Sequence, residues 1–180
     1  MLFRSGLDIE GITARGDRVL VGLRGPVLRG IALVADLRLG NLGNANAPLQ
    51  LDQLRLRFLD LGGLAVRDLA VLPGHDDVLL LAGPTMTLAG PCLLYRWCDA
   101  LRDRPAGRAD SLTIEKTTPL LWIRSGDPGD KYDKPEGLDL QHHNGELIAW
   151  IAYDSPSAHR CEGDGLCTHL DGFVVPEVGA

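Results

Sequence analysis

Three charged residues occupy matching places in three similar stretches of the sequence. Glu10 belongs to "DIEGITARGDRVLVGLRGP", Arg67 to "VRDLAVLPGHDDVLLLAGP" and Glu136 to "KPEGLDLQHHNGELIAWIAYDSP". Each charged residue is followed by a short apolar segment, a turn rich in Gly, Asp, His or Asn, and a run rich in Val, Leu or Ile. Each stretch then closes on Gly-Pro or Ser-Pro. If the three stretches form equivalent strands around one axis, their charged side chains meet at one place.

The carboxylates of this set have the chemistry of a cation site. Glu10 and Glu136 are equivalent in the alignment, and Asp68 directly follows Arg67. Carboxylate oxygens are ligands that Ca²⁺ and Mg²⁺ prefer. The glycines that follow the two glutamates permit tight turns and the close approach of a ligand. The sequence therefore predicts a metal site of Glu10, Asp68 and Glu136, with Ca²⁺ or Mg²⁺ as the cofactor.

Cationic side chains in the same alignment predict contacts to an anionic ligand. Arg67 and Arg24 can each form two parallel hydrogen bonds to a carboxylate or phosphate. In the third stretch Asp154 takes the place of Arg24, where a carboxylate with a raised pKa can act as a general base. The predicted ligand-binding residues are Glu10, Arg24, Arg67, Asp68, Lys134, Glu136 and Asp154.

A structural interpretation of the same residues stands beside the functional one. Charged side chains at the starts of neighbouring strands often pair with each other and satisfy buried polar groups. On this interpretation Glu10 pairs with Arg67, and Asp68 pairs with Lys134. The charges then hold the strands together without binding a ligand.

The elements that position these residues are predicted to be strands. Each stretch has the pattern of strand, tight turn, strand and break, and further β-prone segments follow each break. A four-stranded unit that recurs every ~55–70 residues is typical of a β-propeller. The sequence therefore predicts a single all-β domain over residues 1–180, a partial propeller of about three blades at 7–60, 61–125 and 133–175. A β-sandwich is the alternative all-β fold.

Composition and charge exclude several classes of function. The chain has 180 residues and a net charge of -6, which argues against a nucleic-acid partner. No apolar run approaches the ~20 residues that span a bilayer, and no signal peptide is visible. These features predict a cytoplasmic protein without a membrane partner, unless a signal peptide preceded the present start.

The cysteines form two pairs of equal spacing, Cys92 with Cys98 and Cys161 with Cys167. A strand between the first two would separate them by roughly 20 Å, too far for a disulfide or a shared metal. Reduced core thiols are the expected state, and a Cys161–Cys167 disulfide is the alternative. With His159 and His169 the second pair has the ligand types of a zinc site, but not its usual spacing.

Two further polar segments carry weaker predictions. The loop from 126 to 137 contains Asp127, Asp130 and Asp133, and is interpreted as a solvated turn or as a cation-binding lip over the channel. His142 and His143 fall in a hairpin turn, where exposed side chains are expected rather than metal ligands.

About three blades do not close a propeller, which has ~4–8. Open blade faces would expose apolar surface, which marks a site for a partner. One explanation is that the chain is part of a longer protein whose N-terminal blades are missing. The other is that two copies form a homodimer that closes a six-bladed ring, with residues 2–6 of one copy completing the last blade of the other.

Several long motifs resemble one known family. The motifs are "DIEGITARGDRVLVGLRGPVLRGIALV", "LDLGGLAVRDLAV", "LLLAGPTM", "GPCLLYRW", "DKPEGL" and "YDSPS". In their order they resemble the bacterial domain-of-unknown-function family 3616. The resemblance implies a propeller-like fold in a protein of roughly twice this length, and no established activity.

Three functional hypotheses follow from the sequence. The first is a ligand- or protein-binding module with a charged central channel. The second is a divalent-cation-dependent hydrolase of phosphoesters or carboxyl esters, in which the cation activates water. The third is a truncated chain without an activity of its own. Fold alone does not choose among them, because propellers host many activities.

Overall fold

The structure is a computed structural model that describes residues 7–85, 90–103, 113–124, 133–163 and 167–176. The described residues form β-strands and one short 3₁₀ turn, Ala158–Arg160, which confirms the predicted all-β fold. None of their helices is long and apolar enough to cross a membrane. Three antiparallel sheets pack against one another, an arrangement that fits a partial propeller or a sandwich.

The first sheet is an antiparallel meander from the N-terminal part of the chain. Its four consecutive strands are β1 Asp8–Arg15, β2 Arg18–Leu28, β3 Ile31–Gly40 and β4 Gln50–Asp60. β1 and β2 join through a tight turn at Gly16, whose φ of 62° suits a residue without a side chain. The predicted turn "RGD" is therefore confirmed.

The second sheet has the same meander order. Its strands are β5 Ala65–Val71, β6 Val78–Gly83, β7 Cys92–Trp97 and β9 Thr118–Ile123. Every residue of β6 and β7 is buried, as the apolar run "VLLLAG" predicts for a strand covered on both faces. Between β7 and β9 the chain forms β8, Ile114–Lys116, which pairs in parallel with β4 of the first sheet.

The third sheet has three strands, β10 Lys134–His143, β11 Glu146–Asp154 and β14 Asp171–Val174. A separate small hairpin precedes β14 and consists of β12 Cys161–Glu162 and β13 Cys167–Thr168. The β-prone segment after the third break therefore contains two short strands, β13 and β14.

The second sheet lies between the other two. One buried cluster joins it to the first sheet and contains Leu20, Val34, Leu80 and Trp97. A second buried cluster joins it to the third sheet and contains Leu79, Leu94, Leu138 and Ile151, among others. The inner strand β5 contacts both β1 and β10, so the first strands of the three sheets are neighbours. Their side chains can therefore meet, as the repeat predicts.

Candidate functional site

The three aligned charged residues share one backbone feature. Glu10, Arg67 and Glu136 each interrupt the pairing register of the first strand of a sheet with the second. In each case the residue before and the residue after it pair with consecutive residues of the partner strand. Each charged residue is therefore the extra residue of a β-bulge, a feature that re-aims a side chain.

The bulges bring the three side chains together, and we call Glu10, Arg67 and Glu136 the bulge cluster. Arg67 Nη1 lies 2.8 Å from Glu136 Oε1 and 3.7 Å from Glu10 Oε2. Arg67 Nη2 donates a hydrogen bond of 2.7 Å to the carbonyl oxygen of Pro84. One guanidinium therefore connects carboxylates from the first and third sheets to the second sheet.

The side chain of Arg67 has room because its neighbour on β6, Gly83, has no side chain. A Cβ on Gly83 would lie 3.2 Å from Arg67 Nε and 3.1 Å from Cys92 Sγ. The Arg67 side chain is 7 % exposed, and its Nε is buried with no hydrogen-bond partner among the described residues. The guanidinium is thus enclosed on the side of the second sheet and paired on the side of the two glutamates.

A second arginine extends the cluster within the first sheet. Arg24 lies 2.8 Å from Asp8 Oδ2 and 2.8 Å from Glu10 Oε1. In the third sheet Lys134 is directly opposite Asp154 in the β10–β11 register. This pair matches Asp8 and Arg24 of the first sheet, but here the cation lies on the first strand and the carboxylate on the second. The seven predicted ligand-binding residues therefore lie near the starts of β1, β5 and β10, or on the strands beside them.

Asp68 connects the inner strands through backbone amides. Its Oδ1 accepts a hydrogen bond of 2.8 Å from the Leu69 amide, and its Oδ2 accepts one of 2.8 Å from the Leu138 amide of the third sheet. Among the described contacts it is this amide, and not Lys134, that links Asp68 to β10. The described ion pairs therefore include the expected Glu10–Arg67 pair, but no Asp68–Lys134 pair.

Close strand packing surrounds Asp68. A Cβ on Gly11 would lie only 2.7 Å from Asp68 Cα, a distance that requires the backbones to separate. The glycine after Glu10 is therefore needed for the contact between β1 and β5. The sequence predicted that this glycine leaves space for a ligand. In the structure the neighbouring strand β5 occupies that space.

Burial perturbs two of the acids. Removal of Glu10 from solvent raises its pKa, the Arg24 charge partly opposes this, and Glu136 raises the pKa further. Burial also raises the pKa of Asp68, although the amides of Leu138 and Leu69 favour its charged form. Both carboxylates therefore retain some unfavourable energy when ionised, which a nearby positive charge would lower.

An open groove of about 300 Å³ lies beside Asp68 between the three inner strands. Its lining residues come from β1, β5 and β10, and are Ile12, Thr13, Asp68, Leu69, Ala70, Val71, Leu138, Asp139 and Leu140. This lining includes two carboxylates, Asp68 and Asp139, and no cationic side chain. The groove is therefore largely polar, with negative charge along it.

The described residues do not include a preformed metal centre. No group of three or more His, Cys, Asp or Glu side chains among them is arranged to hold a metal ion. Glu10 and Glu136 meet around Arg67, and both oxygens of Asp68 already accept backbone hydrogen bonds. The predicted Ca²⁺ or Mg²⁺ site stays a prediction that requires these groups to rearrange.

The other polar segments give mixed outcomes. Cys92, Cys98 and Cys161 are free thiols, so Cys161 forms no disulfide in this structure. His169 Nε2 lies 2.9 Å from Glu162 Oε1 across the small hairpin. His142 and His143 are exposed at the hairpin end of β10, as predicted. Asp127 and Asp130 lie outside the described residues, as do residues 2–6.

Sequence reasoning missed a buried ion network between the first two sheets. Arg57 of β4 binds Asp36 at 3.0 Å, Glu115 of β8 at 2.6 Å and the carbonyl of Ala100 at 2.9 Å. Its guanidinium also lies 4.3 Å from the ring centroid of Trp97. The available signal was the alternation "LRLRFLD", in which arginines share a strand with leucines.

A second missed network holds the third sheet. Arg160 forms two hydrogen bonds of 2.9 Å to Asp171 and lies 3.8 Å from the ring centroid of Tyr153. Tyr153 donates a hydrogen bond of 2.6 Å to the same carboxylate. Asp133, predicted for a cation-binding loop, instead accepts hydrogen bonds from the amide and hydroxyl of Ser157 and pairs with Arg160.

Comparison with known proteins agrees with the resemblance in the sequence motifs. Residues 4–169 match the model of one family, described as protein of unknown function (DUF3616). No curated protein and no solved structure matches the chain. The match covers most of the sequence, including every strand of the first two sheets and the bulge cluster. The chain therefore belongs to the DUF3616 family of proteins of unknown function.

Proposed function

We propose that the protein is a propeller-type binding module that takes a small, positively charged ligand in the groove between β1, β5 and β10. The observation that carries the proposal is the groove lining, which has two carboxylates and no cationic side chain. In this proposal the three sheets are blades, and their first strands line a central channel. The bulge cluster forms one end of that channel.

The charge of the bulge cluster supports a cationic ligand over an anionic one. Both arginines near the groove are already paired, Arg67 with Glu136 and Arg24 with Asp8 and Glu10. An anion would have to displace a carboxylate from a partly buried pair, which is costly. A cation would instead compensate Asp68 and Asp139, the first of which has a pKa raised by burial.

Thermal unfolding with added cations tests this proposal. We expect CaCl₂ or putrescine to raise the melting temperature, whereas NaCl at equal ionic strength does not. At a ligand concentration of ~100 Kd the stabilisation is about 2.7 kcal/mol, or several degrees for a chain of this size. Asp139→Asn should reduce the rise, because Asp139 contributes charge to the groove.

The control is Asp52→Asn, which removes a carboxylate from an exposed position of β4, outside the groove lining. It should leave the ligand-dependent rise unchanged. A rise that is equal in the wild type, Asp139→Asn and Asp52→Asn would place the binding elsewhere. The absence of a rise with both cations would contradict the proposal.

A divalent-cation-dependent hydrolase is the second candidate. The observation that favours it is the pKa of Glu10, which burial raises, since a general acid or base in a hydrolase is often a carboxyl whose pKa is raised in this way. This candidate requires Ca²⁺ or Mg²⁺ to bind, so a rise with CaCl₂ but not with putrescine would favour it. Glu136→Ala should then abolish that rise. Hydrolysis of p-nitrophenyl phosphate and p-nitrophenyl acetate with each metal would complete the test.

A further inference from the structure

The first sheet has one covered face and one open face. Leu20, Val34 and Leu59 point towards the second sheet and belong to the buried cluster between the two sheets. Because side chains alternate along a strand, the residues between them point the other way. Arg57 is buried on the covered side, so Leu56 next to it lies on the open side.

The cross-strand register defines the open face. One row across β1 to β4 is Ile12, Val21, Ala35 and Leu56, and the next row is Ala14, Val19, Leu37 and Leu54. Directly opposed residues share a face, so each row forms one continuous line. We call these eight residues the open apolar face. None of them carries a charge or a polar side chain.

Much of the open apolar face is exposed in the single chain. Ile12 is 66 % exposed, Leu54 57 % and Leu56 55 %. Isolated exposed leucines are ordinary, but contiguous apolar surface of this extent marks an interaction site. By contrast, the central strands β6 and β7 of the second sheet are covered on both faces within the chain.

We propose that the open apolar face pairs with the same face of a second copy of this chain, in a two-fold symmetric sheet-on-sheet dimer. An isologous contact places each patch against itself, so it must be free of like charges. The eight residues meet that requirement, although the whole chain carries a net charge of -6. Two sheets packed this way form the aligned arrangement of a β-sandwich.

The extent of the face is close to what a dimer needs. The apolar pairs Leu33–Phe58 and Leu39–Leu51 continue the face at its two ends. With them, four strands at ~4.8 Å spacing and about eight residues at ~3.3 Å each give roughly 500 Å² of flat area per copy. Two copies together reach about 1,000 Å², the lower bound for a specific interface. This flat area does not include the additional surface of the protruding side chains. A smaller ligand would leave much of this apolar surface in water.

The outer face of the third sheet is a poorer partner for it. There the opposed residues include Asp139 and Gln141, beside Trp150 and Ile148. Pressing a carboxylate and an amide onto a wholly apolar sheet leaves both without hydrogen-bond partners, which costs free energy. The pairing of two open apolar faces avoids this cost, so it is favoured over a ring that joins the first sheet to the third.

Light scattering after size-exclusion chromatography tests the dimer, with the full chain at several concentrations. We expect the wild type to have twice the 19.4 kDa mass of one chain. Leu56→Lys should give the single-chain mass at the same concentrations, because it buries a charge at the contact. Leu54→Lys, in the neighbouring row, is a second variant if the first does not fold, as judged by circular dichroism.

Two matched controls replace exposed apolar residues outside the face by lysine. Trp122→Lys changes β9 of the second sheet, and Val174→Lys changes the outer face of the third. Both should remain dimers. A wild type with the single-chain mass, or a Leu56→Lys variant that stays dimeric, would overturn the proposal. So would dissociation by Val174→Lys, which would indicate the ring, or a series of larger species, because an isologous contact closes at two copies.

Discussion

Arg67 donates a hydrogen bond of 2.8 Å to Glu136, although 69 positions separate the two residues in the chain. Both are bulge residues, each extra to the register of its own sheet. Equivalent positions of the aligned sequence stretches thus carry opposite charges and meet where their sheets adjoin. The bulge aims each side chain out of the ordinary pleat, and the opposite charges make the meeting favourable.

Removal of the central guanidinium should destabilise the protein. We expect Arg67→Ala to lower the free energy of unfolding by about 3–5 kcal/mol, because it leaves the carboxylates of Glu136 and Glu10 in a partly buried site without their cation. Urea unfolding followed by tryptophan fluorescence measures the change. Arg67→Met is the volume-matched comparison, and it separates the loss of charge from the loss of packing.

Double-mutant cycles can assign the Arg67 contribution to its two partners. The Arg67–Glu136 pair, at 2.8 Å, should show a larger coupling energy than the Arg67–Glu10 pair, at 3.7 Å. Glu10 also keeps its own contact with Arg24 when Arg67 is absent. Strict additivity of Arg67→Met and Glu136→Gln would contradict the central place of this arginine.

The strands and the charged trio were predictable, since both depend on local pattern. The predicted breaks at Gly83-Pro84 and Ser155-Pro156 end β6 and β11, and turn residues such as Gly16 mark the hairpins, although β2 continues through Gly25-Pro26 to Leu28. The alignment of the three stretches also matched Glu10, Arg67 and Glu136, and the structure has the same bulge at each of them. Residues that match in the aligned stretches therefore occupy matching positions in the three sheets.

Other features depend on distant partners and were not predictable. The segment containing β8 and β9 is one β-prone run without a turn signal, yet Ile114–Lys116 pairs with the first sheet. Asp68 accepts a hydrogen bond from the backbone amide of Leu138. Every residue type except proline has a backbone N–H, so the sequence does not indicate which residue donates it. Arg57 is 58 positions from Glu115, and no local spacing indicates that contact.

Glu10 should make the protein less stable as pH rises through the range in which it ionises. Its pKa in the folded state is raised from 4.5, mainly by burial. Between the unfolded and folded pKa values the native state holds the extra proton, so this contribution to stability is fullest below about pH 4.5 and is lost above the folded pKa. Glu10→Gln should flatten this fall in urea unfolding measured from pH 4 to 8. An unchanged slope would exclude Glu10 as its source.

Asp171 should act in the opposite direction. Its hydrogen bonds from Arg160 lower its pKa below 3.8, against the effect of burial. The unfolded state then binds more protons, so this stability is present above about pH 4 and is lost as pH falls through the folded pKa. Asp171→Asn should reduce the loss of stability between pH 5 and 2. A slope equal to that of the wild type would contradict the effect of the Arg160 contact.

Gly11→Ala tests the packing of β1 on β5. The added Cβ would lie 2.7 Å from Asp68 Cα, and backbone atoms cannot move aside as a flexible side chain can. We expect a loss of about 1–3 kcal/mol in the free energy of unfolding. Leu7→Ala, at an exposed position just before β1, should change it by less than about 0.5 kcal/mol. Equal stability of the two variants would show that β1 and β5 can separate freely there.

The Arg57 network should contribute more to stability than surface ion pairs do. Arg57 is 7 % exposed and binds two carboxylates while its guanidinium stacks on Trp97. Arg57→Ala removes the bidentate contact to Glu115 and one of the two arginines that bind Asp36, so we expect a loss of about 3–5 kcal/mol on urea unfolding. Arg57→Lys should recover little of it, because an ammonium group cannot form the paired hydrogen bonds to Glu115.

The comparison variant for Arg57 is Arg102→Ala. Arg102 is exposed and pairs with Asp99 at 3.5 Å, so its loss should cost less than about 1 kcal/mol. Glu115 lies on β8, which pairs with β4 of the first sheet, and it accepts a hydrogen bond from Trp97 Nε1 of the second sheet. The Arg57–Glu115 pair therefore belongs to the contact between the two sheets. If Arg57→Lys were as stable as the wild type, charge alone would hold the sheets together, and the bidentate geometry would be unnecessary.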